Sequence, residues 1–276
     1  MLNFELFADC HPRLSESPVW CDRDEMLYWR GLDGEIFRKR LDTGVSDYEI
    51  FHPGIGNIGS IMLVDDGFLL FGDGGRIWHW VPGGAPELRH DFGLSTFNDC
   101  IADPFGRIYC GVLTENYFDE NLRGRYGSFW CLHPDGRMVC IDDRTGNTPN
   151  GIRLSPGLDT LYFAVTDHNC VYAYDYDPAT GDLSNRRIFY DDCCPDGIDV
   201  DDNGNVWITD CRCGGPLLCV SPSGDLLYSH VFPVRRITAA AFGAPGRRHL
   251  FITTAHENQP VSPHCGSLFV GAADSE

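Results

Sequence analysis

Four polar residues at the starts of short apolar segments carry the chemistry this sequence could perform: Glu16 in S-E-S-P-V-W, Asn98 in F-N-D, Asn150 in P-N-G and Asp196 in P-D-G. Brought together, they offer charged carboxylate and neutral carboxamide oxygens, the donor set of a hard divalent cation whose remaining positions water fills. Two carboxylates facing each other across a narrow apolar space repel, and burial raises that cost, so something positive is expected to neutralise them. Each residue alone reads more readily as a strand-end cap, because Asn-Gly, Asn-Asp and Asp-Gly are turn formers whose side chains bond nearby backbone. Four in register favour a site.

Other chemistry finds less support. The G-x-S-x-G elbow of a serine hydrolase is absent, since Gly56 to Ser60 reads GNIGS. His256-Glu257 is followed by Asn258, Gln259 and Pro260, so the second histidine of a zincin is missing and His256 reads as a surface or loop residue. Cys193-Cys194 and Cys211-x-Cys213 do not form the paired knuckles of structural zinc; they read as small buried hydrophobes, with the first pair able to line a pocket or report oxidation. The polar stretch VLTENYFDENLRGRYG at 112–127 is long for a strand connection, and its Arg123, Arg125 and Tyr126 could reach sugar hydroxyls or a carboxylate.

The elements that must position these residues repeat along the chain. A turn followed by a short strand rich in β-branched and aromatic residues recurs six times: DRDEMLYW, VDDGFLLF, DPFGRIYC, SPGLDTLYF, DDNGNVWI and APGRRHLFI. Each has a strand before it, a second after it that ends in a polar turn in five units, and in those five a further outer strand. Four strands per unit at roughly 40 to 50 residues is the pattern of a propeller blade. The sixth outer strand is missing at the end, and NFELFAD at residues 3–9 is expected to supply it and close the ring. The fold expected is all-β, a six-bladed β-propeller of four antiparallel strands per blade, as one domain over 1–276. Inner strands line the channel, and counting back from their turns puts Glu16 or Ser17, Ser60, Asn98, Asn150, Asp196 and Thr238 around one mouth.

Composition narrows the partners. With 21 Lys and Arg against 40 Asp and Glu, the net charge of -19 repels nucleic acid and anionic lipid. The start MLNFELFADC has no basic region before an apolar stretch, and no run approaches a membrane span of roughly 20 residues. Thirteen cysteines, an odd number in a chain of this length, read as reduced thiols. The expectation is a soluble cytoplasmic protein. The aromatic residues alternate within strands and are expected to fill the spaces between blades.

The motifs S-E-S-P-V-W at 15–20, F-N-D-x-x-x-D-P-x-G-R at 97–107, P-N-G-x-x-L-S-P at 149–156 and P-D-G-x-x-V-D at 195–201 resemble, in order, those of the senescence marker protein (regucalcin), gluconolactonase and luciferin-regenerating enzyme family. The resemblance spans about residues 14–270. It implies a six-bladed propeller in carbohydrate metabolism that hydrolyses a sugar-acid lactone, with one divalent metal ion (Ca, Zn, Mg, Mn or Fe) on Glu16, Asn150 and Asp196. It also implies Asn98 beside the metal, contacting water or substrate, and Asp196 as the base. Three departures bear on the substrate more than on the metal. Thr96 stands where the family often has a substrate-touching arginine, Val165 where an aspartate is common, and Trp29-Arg30-Gly31 where W-x-D is usual.

The leading expectation is therefore metal-dependent opening of an aldonolactone to the aldonic acid by a metal-activated water at the channel mouth, with Thr96, Asn98, Arg123 and Arg125 at the substrate. The alternatives are a non-enzymatic calcium- or partner-binding propeller and a phosphotriesterase-like hydrolase at the same metal site.

Overall fold

The computed structural model describes residues 2–115, 126–256 and 262–272. Runs of this length are too short to be stable helices, but each can pair with the next through a tight turn. Glycine makes those turns possible: Gly136 and Gly224, at φ +86° and +91°, occupy the left-handed region that L side chains avoid. The result is six antiparallel sheets of four strands, a six-bladed β-propeller. Among the described residues helical structure is limited to three short 3-10 turns, and no helix is long and apolar enough to cross a membrane.

Five blades follow chain order from the channel outward. The sixth is built from Ile237–Gly243, His249–Thr254 and Leu268–Ala272, and its outer strand is Asn3–Ala8, paired from Asn3↔Ala272 to Ala8↔Leu268. The N-terminal segment closes the ring, as its position before the first inner strand requires. Buried apolar residues fall into six clusters, each shared by two neighbouring blades. Stacking of Phe129 on Phe163, with centroids 4.3 Å apart, is typical of how aromatic residues fill the wedge between blades.

Half of the F-N-D-x-x-x-D-P-x-G-R motif serves this packing. Asp103 and Arg107 form a buried ion pair (Nε to Oδ2, 2.5 Å) that reaches into the fourth blade. There Tyr176 donates to Asp103 Oδ2 at 2.7 Å and Arg107 Nη2 donates to the Pro178 carbonyl at 2.6 Å. Burial opposes the charge on Asp103, but hydrogen bonds from Arg107 and Tyr176 outweigh it and hold the carboxyl below its usual range. Arg107→Ala leaves that carboxylate unpaired and is expected to lower unfolding free energy by about 3–5 kcal/mol at pH 7. A carboxyl with a depressed pKa stabilises the fold above its unfolded pKa and ceases to do so as pH falls. The gap between wild type and variant in urea melts should therefore narrow below about pH 4.

Candidate functional site

All six innermost hairpins carry a register shift near the start of the inner strand. In the third to sixth blades the ladder opens with Phe97↔Val112, Pro149↔Val165, Pro195↔Asp210 and Ile237↔Thr254. Asn98, Asn150, Asp196 and Thr238 come next, each at the bulge, where side chains leave the usual alternation. In the second blade Ile58↔Gly72 opens the ladder, so Gly59 holds this position and Ser60 lies one residue deeper. This corrects the count made from the hairpin turns. The second blade's hairpin closes through two residues and the third's through five, so counting back from the turn stops one residue short in the second blade. In the first blade Glu16 itself pairs with Arg30, and the following Ser17 sits at φ +50° with its N–H donated to Glu16 Oε2 at 2.9 Å.

The glycines of P-N-G and P-D-G are not turn residues. Gly151 and Gly197 lie inside strands, and a Cβ on them would stand 2.5 Å from the Ile198 nitrogen and 2.6 Å from Ala239 Cβ. They let adjacent inner strands close up around the channel, which brings Asn150 against Asp196.

Glu16, Asn98, Asn150 and Asp196 line one open cavity of about 1010 Å³. Asn98 donates Nδ2 to the Pro149 carbonyl at 2.9 Å. Asn150 donates Nδ2 to Asp196 Oδ1 at 2.5 Å and to Thr166 Oγ1 at 3.1 Å, and Thr166 Oγ1 donates to the Pro195 carbonyl at 2.7 Å. With both carboxamide nitrogens turned to the protein, Asn98 Oδ1, Asn150 Oδ1 and Asp196 Oδ2 receive no hydrogen bond among the described residues. Burial, then the charge of Glu16, raises Asp196 well above the carboxylate range. Burial likewise pushes Glu16 up to about 7, against the attraction of Arg30. Oxygen acceptors without donors and two mutually repelling carboxylates fit a hard divalent cation. No group of three or more His, Cys, Asp or Glu side chains suited to a metal occurs among the described residues; the third donor of this set is a carboxamide.

The other residues expected at the site fall at varying distances from this centre. Thr96 borders the cavity with its Oγ1 donated to Asp73 Oδ1 at 2.8 Å. Arg123 and Arg125 lie outside the described residues, and Tyr126 beside them is exposed. Val165 is buried between blades. Cys193 belongs to the core, whereas Cys194 and Cys211 sit at the cavity wall with sulfurs 3.5 Å apart, and all thirteen cysteines are unpaired. His256 is exposed at the rim.

Sequence reading missed the cations. Arg30 is 5% exposed at the cavity floor, and its charge acts on Glu16 and Asp196. A second charge cluster also escaped it: Arg153 meets Asp199 at 3.2 Å and Asp99 at 3.7 Å. The signal lay in the motifs, since Asp99 follows Asn98 and Arg153 ends N-G-I-R.

The model of the SMP-30/Gluconolactonase/LRE-like region matches residues 14–256. Pentonolactonase XacC of Haloferax volcanii is 32% identical over 255 residues, covering 90% of this chain and 84% of its own. Among solved structures, a luciferin-regenerating enzyme superposes with TM-score 0.85 at 21% identity, over 99% of this chain and 96% of that one. A calcium-binding regucalcin from Agrobacterium tumefaciens also reaches 0.85, at 19% identity, over 98% and 93%.

Proposed function

This chain belongs to the SMP-30/gluconolactonase/LRE-like family, and from that premise we propose that it hydrolyses a sugar lactone to the open hydroxy acid. The observation that carries the reading is the convergence of Glu16, Asn98, Asn150 and Asp196 on one cavity wide enough for a sugar ring, with oxygens of Asn98, Asn150 and Asp196 lacking donors among the described residues. The pentonolactonase relative supports the substrate class.

Glu16, Asn150 and Asp196 would hold the divalent ion. When bound, such an ion polarises the lactone carbonyl and acidifies water near neutral pH. Asp196 is the group we assign to take the proton of the attacking water, because it lines the cavity and only its Oδ1 is engaged by Asn150 among the described residues. The water oxygen bonds to the carbonyl carbon, the ring C–O bond breaks, and the ring oxygen leaves as a hydroxyl with a proton. Asn98, fixed by its bond to the Pro149 carbonyl, presents Oδ1 to a sugar hydroxyl. Thr96 extends this wall with a short hydroxyl in place of a guanidinium. A cytoplasmic setting agrees with thirteen unpaired cysteines.

The test is a panel of pentono- and hexonolactones with an aryl phosphotriester, assayed before and after dialysis against chelator. The expected result is lactone turnover at least about 100-fold above the buffer rate, lost with chelator and restored by one of Ca, Zn, Mg, Mn or Fe. Turnover of the phosphotriester alone, or of nothing in the panel, overturns the reading.

A further inference from the structure

Arg30 is a buried cation, and four of its five N–H donors have no protein acceptor among the described residues. Its Nε donates to the Gly59 carbonyl at 2.9 Å. Neither Nη1 nor Nη2 has a protein acceptor among the described residues, and no carboxylate lies within salt-bridge distance, although the side chain is 5% exposed and borders the cavity. A guanidinium does not shed its proton at neutral pH, and although the charges of Glu16, Asp196 and Asp99 act on it, none of them accepts from its terminal nitrogens. Its two terminal nitrogens form a planar fork that matches a carboxylate.

The surroundings agree in sign. Among the described residues, five arginines (Arg13, Arg30, Arg212, Arg235 and Arg236) and two carboxylates line this cavity, in a chain whose net charge is -19. Arg212 is held by Asp210 through Nε at 2.8 Å, Arg13 lies 4.0 Å from Asp33, and Arg235 turns two nitrogens to Cys213 Sγ at 3.0 and 3.1 Å. Arg30 thus differs from Arg13 and Arg212, each of which has a carboxylate beside it. A neutral aldonolactone offers this fork single hydroxyl and carbonyl oxygens, whereas a carboxylate offers it two charged oxygens in one plane.

We propose that Arg30 selects a lactone bearing a second, free carboxylate, the monolactone of a sugar diacid, over the neutral aldonolactone. This rests on the lactonase reading above. A phosphate on the sugar presents related anionic chemistry, and the assay separates the two.

The experiment compares kcat/KM for glucono-1,5-lactone, the 1,4-monolactone of glucaric acid and 6-phosphogluconolactone in wild type, Arg30→Gln and Arg30→Lys, each checked for fold by circular dichroism. Wild type is expected to favour the diacid monolactone by about 30-fold over the neutral lactone, the scale of a hydrogen-bonded charge pair. Arg30→Gln should bring that ratio near one, mainly through KM. Arg30→Lys, which keeps the charge but not the fork, should retain part of it. An unchanged ratio in Arg30→Gln, or a wild type that favours the neutral lactone, overturns the inference while leaving the lactonase reading intact. A preference for the phospholactone that Arg30→Gln removes overturns the carboxylate assignment. If no lactone is turned over, the lactonase reading fails and calorimetry with glucarate and gluconate decides. Tighter glucarate binding lost in Arg30→Gln upholds the role of Arg30, and equal binding ends it.

Discussion

Asp196→Ala is expected to lower kcat/KM on a sugar lactone by about 1,000-fold or more, while the chelator-treated protein melts at or above the wild-type temperature. The two halves have one cause. Asp196 gives the cavity an oxygen that no donor among the described residues satisfies, and its partner in the field is Glu16, a second buried carboxylate of the same sign. Removing one of two repelling charges relieves the fold, and the strand pairing around it, Pro195↔Asp210 and Ile198↔Ile208, is made by backbone alone. Loss of activity without loss of stability is the behaviour of a residue kept for its site. Activity measured on the lactone panel and melting followed by circular dichroism check both halves. A variant that stays active and indifferent to chelator refutes the assignment of Asp196, and one that melts well below wild type shows that its role is structural.

Deleting residues 1–8 should remove most of the stability. The deletion strips the outer strand of the sixth blade and leaves Leu268–Ala272 as an open edge. It also takes away Phe7, 3% exposed, whose ring meets Phe251 at 5.0 Å and lies 4.9 Å beneath the Lys39 ammonium. Emptying a buried phenylalanine site alone costs about 3–5 kcal/mol, and strand hydrogen bonds add about 1 kcal/mol each, against a usual total of 5–15. Phe7→Ala is the milder version and should lower unfolding free energy by about 3–5 kcal/mol in urea melts. A truncated chain with the wild-type midpoint would show that this strand does not hold the ring shut.

The architecture was legible because strands announce themselves through their own residues. Turn glycines, β-branched runs and their recurrence are local signals, and the order of blades follows from chain order. Asn150 and Asp196 were legible for the same reason, each marked by a proline and a glycine. Arg30 was not, because its place depends on which residue of the next strand stands opposite Glu16. The assignment of Ser60 failed where two hairpins differ in loop length, since sequence spacing does not reveal a bulge. The Asp99, Arg153 and Asp199 cluster joins three blades, a meeting that exists only once the ring has formed. Asp103 and Arg107 show the converse: a motif that travels with the site can contain residues whose work is to hold two blades together.

The pairing of Asn3–Ala8 with Leu268–Ala272 also orders events in time. Synthesis at about 5–20 residues per second separates those two strands by tens of seconds on the ribosome. Throughout that interval residues 3–8 have no partner, while the first five blades can already pair within themselves. Their alternating Phe4, Leu6 and Ala8 remain an unpaired strand edge during emergence, the kind that invites association with another nascent chain. Residues 268–272 must then find it across nearly the whole length of the chain, a contact of the highest sequence separation this fold contains and a slow one to make. Moving the first eight residues to the far end of the chain by circular permutation would turn that search into the closing of a local hairpin.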